Sequence, residues 1–264
     1  MNTLKVRSLV LGEGIPAICI PNVGKTREEI ISLTKKYMDM PMNLMEWRAD
    51  WFEDVENIEK VTEVLAEVRK TLGDTPLLFT FRTKREGGVS ELDTKSYVSL
   101  NKAVAALGLA DLIDVEIFTG DAVVTDLISA IHNCNTKVVA SNHDFHKTPA
   151  KSELIYRLRK MQDMGADIPK IAVMPRSRKD VLTLLAATEE MASNYADRPI
   201  ITMSMSGMGS ISRIACEAFG SCLTFGSGDK ASAPGQIHAQ ELHGLLKKHT
   251  SGLVTAAIRQ DRLL

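Results

Sequence analysis

The sequence predicts a closed (β/α)8 barrel preceded by a short N-terminal β-hairpin, and three observations favour that fold. Eight short apolar segments alternate with longer amphipathic ones, the order expected of buried parallel strands joined by helices. The turn after the first of these strands reads PNVGKT and lacks the GxGxxG pattern that would favour an open nucleotide-binding sheet. No linker or shift in composition divides residues 1–264, so we expect a single domain.

The individual elements follow from the spacing of apolar residues. A hairpin, LKVRSLVLGEG, is predicted at residues 4–14. The predicted barrel strands cover residues 17–21, 43–48, 77–82, 112–117, 137–141, 170–174, 199–204 and 222–226. Helices are predicted, for example, at residues 26–40, 57–73, 94–108 and 151–165, where apolar residues recur every three or four positions.

Composition excludes several classes of protein. Apolar residues make up 44% and charged residues 25% of the 264 residues, which is typical of a globular protein. The 32 basic and 33 acidic residues leave a net charge of −1, so we expect neither nucleic acid nor a membrane as partner. The N-terminus lacks a secretory apolar region, and the four cysteines are scattered, which favours a cytoplasmic protein with reduced thiols.

Polar residues follow the predicted strands at the end where such barrels form their active sites. Glu46 and Arg48 are two positions apart in a strand, so they point to the same side, and that side is the barrel interior if Leu44 also faces inward. Two interpretations of this pair are open. The two side chains form a structural ion pair, or they belong to an active site.

Lys170 begins the predicted strand within DIPKIAVMP, residues 167–175. A lysine at the start of a strand commonly extends its amine to solvent. The alternative is catalytic, because burial and nearby cations lower the pKa of such amines toward about 7–8, and a neutral amine forms a Schiff base with a carbonyl compound.

His143 is placed just after the fifth predicted strand, in the polar turn SNHDFH. A neutral imidazole there could act as a general base and then as a general acid, and a carboxylate such as Glu86 could fix its tautomer. The alternatives are a loop histidine bonded to the backbone and a solvated glutamate. A metal site that combines His143, Asp144 and His146 with Glu46 or Glu116 is disfavoured, because HDFH lacks the helical HExxH context.

The last two loops contain groups suited to an anion. SGMGS and GSGDK supply glycines and small hydroxyls, although ordinary turns use the same residues. Arg213 offers a guanidinium for a carboxylate or a phosphate. The segment ASAPGQ, residues 231–236, is expected to lie over the barrel mouth, where Ser232 and Gln236 could reach a ligand.

Seven motifs, in their order along the chain, resemble those of the type I 3-dehydroquinate dehydratases. They are EWRAD (46–50), LLFTFRTKREGG (77–88), DVEIFTGD (114–121), SNHDFHKTP (141–149), DIPKIAVMP (167–175), DRPIITMSM (197–205) and KASAPGQI (230–237). The resemblance implies a (β/α)8 barrel without metal or organic cofactor, assembled as a homodimer. It also implies the removal of water from 3-dehydroquinate to give 3-dehydroshikimate, in the shikimate pathway of aromatic amino-acid biosynthesis.

The resemblance also implies roles for nine residues. Lys170 would form the Schiff base, and His143 would be the general base and acid, oriented by Glu86. The substrate would be bound by Glu46, Arg48, Arg82, Arg213, Ser232 and Gln236. Two other functions stay open at this point: a Schiff-base aldolase that also uses Lys170, and a catalytically silent barrel that binds a ligand.

Overall fold

The structure, a computed structural model, describes residues 2–260, and the side chains of residues 2–251. An antiparallel hairpin of β1 (Leu4–Val6) and β2 (Leu9–Leu11) opens the chain, as predicted. The parallel barrel strands are β3 (Ala17–Asn22), β4 (Leu44–Arg48), β5 (Leu77–Thr80), β6 (Leu112–Glu116), β7 (Lys137–Asp144), β8 (Ile168–Val173), β9 (Ile201–Ser204) and β10 (Leu223–Ser227). A short strand, β11 (Ile237–His238), pairs with the end of β10.

The sheet curls into a barrel, which confirms the predicted fold class. Each strand from β3 to β8 pairs in parallel with the next, and β10 pairs with β3. The remaining gap, between β9 and β10, is bridged at Ile200 and Ser221, and the backbone N–H of Cys222 donates to the carbonyl of Ile200 at 3.0 Å.

Helices cover the outside of the barrel. They are α1 (Arg27–Tyr37), α2 (Ile58–Leu72), α3 (Thr94–Leu107), α4 (Asp121–His132), α5 (Lys151–Asp163), α6 (Arg178–Asn194), α7 (Ile211–Ile214), α8 (Cys216–Phe219) and α9 (Ala239–Gln260). The start of α3 illustrates the local cause: the carboxylate of Asp93 accepts a hydrogen bond from the N–H of Ser96 at 3.0 Å. Within residues 2–260, no helix is long and apolar enough to span a bilayer.

Strand alternation divides the core into two layers. Outward side chains such as Trp47 and Val115 pack against the helices, whereas inward side chains at the strand starts form a second cluster. This inner cluster includes Leu44, which confirms that Glu46 and Arg48 also face inward. Val6 and Leu11 of the hairpin join the same cluster, so the hairpin closes the bottom of the barrel.

Two strand boundaries differ from the sequence prediction. β7 continues to Asp144 because His143 still pairs with Ala172 of β8, so His143 lies in a strand rather than in a turn. β8 begins at Ile168, and Lys170 is therefore its third residue rather than its first. Pro169 lies within the strand, although proline has no N–H to donate to the ladder.

Tyr97 on α3 ties that helix to β6, and we expect its hydroxyl to stabilise the fold. The buried hydroxyl accepts from the N–H of Glu116 at 3.1 Å and donates to the carbonyl of Asp114 at 3.4 Å. Tyr97→Phe should lower the free energy of unfolding by about 1–3 kcal/mol, because it leaves a buried N–H without a partner. Urea unfolding measures the change, and Tyr156→Phe, at an exposed tyrosine, is the control that should stay near wild type. Equal stability of the two variants would contradict the expectation.

Candidate active site

A cavity opens at the carboxyl ends of the barrel strands. It is lined by all nine residues that the sequence analysis selected: Glu46, Arg48, Arg82, Glu86, His143, Lys170, Arg213, Ser232 and Gln236. Apolar groups complete the wall, among them Phe145, Met203, Met205 and Phe225. The fold therefore brings residues from β4 to the loop after β10 to one site.

Lys170 points into this cavity and is 3% exposed, so the interpretation of an amine extended to solvent is wrong. Its Nζ lies 3.7 Å from Oδ2 of Asp114 and 3.9 Å from Oε1 of Glu46. The ring of Phe225 covers a third side, with its centroid 4.5 Å from Nζ. The amine is thus held among two carboxylates and an aromatic face at the base of the cavity.

Arg82 is the centre of a buried charge network below the cavity. Its Nη2 donates to Asp114 at 2.7 Å, and its Nη1 donates to Glu116 at 2.9 Å and to the hydroxyl of Ser141 at 2.8 Å. Although burial opposes the charge of Asp114, Arg82 and then Lys170 hold the pKa of this carboxyl below its ordinary value. Asp114 is therefore ionised, and Arg82 and Lys170 share it as a counter-ion.

His143 and Glu86 form a hydrogen-bonded pair, as predicted. Oε2 of Glu86 lies 3.0 Å from Nδ1 of His143 and also accepts the backbone N–H of His143 at 2.9 Å. Oε1 of Glu86 accepts from the amide of Asn142 at 3.1 Å. Glu86 is buried, so the alternative of a solvated glutamate is wrong.

Burial and nearby charges shift the pKa values of His143 and Glu86 in opposite directions. Burial, then the cations of Arg82, Lys170 and Arg48, lower the pKa of His143 well below its ordinary value, so the imidazole is neutral. Burial, followed by the carboxylate of Glu116, raises the pKa of Glu86 to about 7. When Glu86 is ionised it accepts a hydrogen bond from Nδ1–H, which leaves Nε2 of His143 as a free base.

Glu46 and Arg48 have separate partners, so the structural ion pair between them is wrong. Arg48 donates to both carboxylate oxygens of Asp50, at 2.7 and 2.8 Å. Glu46 accepts from the hydroxyl of Thr80 at 2.9 Å. Asp50 binds the guanidinium of Arg48 through both carboxylate oxygens. Glu46 is therefore not paired with Arg48 and stays directed toward Lys170.

Arg213 differs from the other arginines of the cavity because no carboxylate of the described residues pairs with it. Its Nη atoms contact only neutral acceptors, the carbonyls of Phe225 and Pro234 at 3.4 and 3.3 Å and Sδ of Met203 at 3.6 Å, and its buried Nε has no partner. Burial lowers the pKa of Arg213 to about 10. A buried cation without a counter-ion is costly, which indicates that an anionic ligand completes this part of the site.

The segment 231–236 lies at the cavity mouth. The N–H of Ser232 donates to Oε1 of Gln236 at 2.8 Å, and Nε2 of Gln236 donates to the hydroxyl of Ser232 at 3.0 Å. The carbonyl of Pro234 accepts from Ser206 at 3.1 Å, which fastens the loop to the end of β9. Gly235, with φ of 79°, is required there because a Cβ would lie 2.3 Å from the carbonyl oxygen of Ser206.

Several residues of the site were not selected from the sequence. Asp114 and Glu116 were recognised as polar residues of a strand, but their pairing with Arg82 depends on how neighbouring strands align. Asp50 and Asn142 carried no signal, because each acts on a residue that another element supplies. In residues 2–260, no cluster of three or more histidine, cysteine or acidic side chains is arranged to hold a metal ion.

The chain is similar to known proteins over most of its length. The sequence model of the type I 3-dehydroquinase family matches residues 18–251. The 3-dehydroquinate dehydratase of Clostridioides difficile (strain 630) is 53% identical, over 92% of this chain and 95% of its own length. The enzyme of the same name from Salmonella agona is 52% identical, over 93% of this chain and 98% of its own.

Solved structures agree with these matches. The crystal structure of type I 3-dehydroquinate dehydratase from Clostridium difficile, with covalently modified comenic acid, superposes with a TM-score of 0.93 at 51% identity, covering 96% of this chain and 100% of that chain. The 3-dehydroquinate dehydratase of Enterococcus faecalis gives 0.88 at 40% identity, covering 93% and 98%. A 3-hexulose-6-phosphate synthase, 16% identical with a TM-score of 0.56, shares the fold alone.

The two buried arginines should respond in opposite ways to substitution. Arg82→Met should lower the free energy of unfolding by about 3–5 kcal/mol, because it leaves Asp114 and Glu116 buried without their cation. Arg213→Met should leave the stability of the unliganded protein unchanged or raise it by up to about 2 kcal/mol, because it removes an unpaired charge. Urea unfolding without ligand compares the variants, and equal losses would show that Arg213 has a counter-ion.

Proposed function

Since the chain belongs to the type I 3-dehydroquinase family, we propose that its cavity dehydrates 3-dehydroquinate through an imine between the substrate and Lys170. The enzyme is a hydro-lyase of the shikimate pathway, and its product is 3-dehydroshikimate. The observation that carries the proposed mechanism is the buried amine of Lys170, which shares one cavity with the His143–Glu86 pair.

The imine supplies the electron sink of the reaction. The amine of Lys170 attacks the C3 carbonyl of the substrate, and the resulting carbinolamine loses water to form a protonated imine. A protonated imine withdraws electrons from C2 more strongly than the ketone does, so the C2 proton becomes more acidic. Asp114 and Glu46, both within 4 Å of Nζ, provide negative charge next to the iminium.

His143 then transfers the proton. With Glu86 ionised, Nε2 of His143 removes the C2 proton, and the electron pair moves to the imine nitrogen to give an enamine. The enamine expels the C1 hydroxyl, which the imidazolium protonates, so that water leaves. Hydrolysis of the conjugated imine releases 3-dehydroshikimate and regenerates the amine, and the sum of the steps is the loss of one water.

The remaining site residues hold the substrate. Arg213 binds the substrate carboxylate, a role supported by its burial without an acidic partner. Ser232 and Gln236 cover the ligand from the loop over the mouth, and Glu46, Arg48 and Arg82 contact hydroxyls and organise the site. The covalently modified comenic acid in the Clostridium difficile relative supports covalent chemistry in this fold.

We further propose that residues 1–264 form one domain, that two copies assemble as a homodimer, and that the enzyme works in the cytoplasm without a metal or organic cofactor. The family resemblance supports the homodimer and the lack of cofactor. The four free thiols, Cys19, Cys134, Cys216 and Cys222, support a reducing compartment.

Borohydride trapping tests the imine directly. After incubation with 3-dehydroquinate and borohydride, intact-protein mass spectrometry should show one reduced adduct, and peptide mapping should place it on Lys170. Lys170→Ala should lose the adduct and nearly all turnover, because alanine offers no amine. His143→Ala, the matched variant, should slow turnover by about 100-fold or more and still form the imine.

Three outcomes of the trapping experiment would contradict the proposal. An adduct of normal yield in the lysine variant would refute the assignment of Lys170. Trapping with a phosphorylated aldehyde but not with dehydroquinate would favour the aldolase alternative. Inertness toward both compounds would favour the silent binding barrel.

The pH dependence of kcat/KM tests the role of Glu86. Because its pKa is about 7, Glu86 gains a proton as the pH falls through this value, and His143 then loses its Nδ1–H tautomer. We therefore expect kcat/KM to fall as the pH drops through about 7. Glu86→Gln should lower kcat/KM by about 100-fold and remove this limb. Glu91→Gln, at an exposed carboxylate, should keep both rate and limb, whereas a limb that persists in Glu86→Gln would contradict the role.

A further inference from the structure

We propose that Asn142 is a positioning residue for the His143–Glu86 pair, and that Arg157 on the outer helix α5 fixes the orientation of its amide. This inference rests on the proposed function of the pair. Neither residue lines the cavity, so both would act on the substrate only through Glu86.

Asn142 occupies the position before His143 in β7, and its side chain is on the outer side of the barrel wall. Its Nδ2 donates to Oε1 of Glu86 at 3.1 Å. Its Oδ1 accepts from Nη1 of Arg157 at 2.8 Å. One buried amide therefore links a helix on the surface of the protein to the carboxylate that orients the catalytic histidine.

The chemistry of the two partners allows only one orientation of this amide. A guanidinium can only donate, so the amide atom that faces Arg157 must be the oxygen. An ionised carboxylate can only accept, so the atom that faces Glu86 must be the nitrogen. A flipped amide would direct its NH2 group at the guanidinium and its oxygen at the carboxylate, and both hydrogen bonds would be lost.

The bond from Asn142 completes the hydrogen bonding of Glu86. Oε2 is fixed by two groups of His143, the backbone N–H and Nδ1. Oε1 has Asn142 as its partner, while the nearest contact of Arg82 is with Oε2, at 3.8 Å. Without Asn142 the carboxylate could rotate about its last torsion and leave the line of the imidazole N–H.

Arg157 is itself held in place, as the proposal requires. Its Nε donates to Glu153, one helical turn earlier, at 2.7 Å. Its guanidinium lies over the ring of Phe118, 5.3 Å from the centroid. The side chain is 16% exposed, so the donor to Asn142 is largely shielded from competing water.

The charged groups that face Glu86 give the expected direction of the pH effect. Glu116 and Asp114 oppose its ionisation, together with burial, whereas Arg82 and the amide of Asn142 favour it. The fifth neighbour, His143, is neutral. Loss of the amide bond should therefore raise the pKa of Glu86, and the acidic limb of the rate profile should move to higher pH.

The test uses matched substitutions on one helix. Arg157→Met and its control Arg159→Met each remove a guanidinium that lies over an aromatic ring, but Arg159 covers Tyr195 and bonds to no group of the site. We expect Arg157→Met to lower kcat by about fivefold to tenfold, with KM changed less than about twofold, because the one hydrogen bond that fixes the amide of Asn142 is lost. Its acidic limb should move up by about half a pH unit or more. Arg159→Met should match wild type in all three quantities.

Two further variants test the same contact between Arg157 and Asn142. Arg157→Lys keeps a donor for Oδ1 of Asn142 and should recover part of the lost kcat. Asn142→Ala should show the effects of Arg157→Met in stronger form, and urea unfolding identifies any variant that fails to fold. If Arg157→Met folds and keeps the kcat and pH profile of Arg159→Met, the proposal is wrong.

Borohydride trapping separates this proposal from the proposed function. Every variant should form the Lys170 adduct, because the imine does not need the base. An active wild-type enzyme without an adduct would overturn the role of Lys170, while the pH profiles of the variants would still decide the role of Asn142.

Discussion

The pairing of Arg82 with Asp114 and Glu116 is the interaction on which the rest of the site depends. A charged group in a barrel interior is costly unless it has a partner, and Arg82 joins β6 to the end of β5 while it satisfies both acids. Asp114 then becomes available to Lys170, and the field of Glu116 acts on Glu86. The same guanidinium therefore influences both Lys170 and the His143–Glu86 pair, the proposed nucleophile and base.

A second consequence of charge pairing is the contrast among three arginines of the cavity. Arg48 has Asp50, Arg82 has two acids, and Arg213 has no acidic partner among the described residues. Protein carboxylates thus neutralise the cations that organise the site. In the proposed function, Arg213 is the cation left for the carboxylate of the substrate, and it would supply a specificity that the nearly neutral surface cannot provide.

The sequence predicted most of the fold and the lining of the cavity, and its failures have physical reasons. Strand alternation from Leu44 correctly placed Glu46 and Arg48 inside. Local signals failed where tertiary pairing overrides them: Lys170 was predicted to begin a strand that starts at Ile168, and His143 was predicted to lie in a turn although it pairs with Ala172. The bond between Asn142 and Arg157 joins a strand to a helix, and only packing determines which side chains meet there.

The hairpin at the bottom of the barrel limits the route by which ligands enter and leave the enzyme. Val6 and Leu11 fill the lower end with apolar side chains, so the barrel offers no passage from one face to the other. Reactant, product and the expelled water must all cross the rim beside Ser232 and Gln236. Reactant and product use the same opening and cannot occupy the cavity together. Accumulated product therefore competes with reactant for the unliganded enzyme. Any partner enzyme that takes over the product must collect it at this rim.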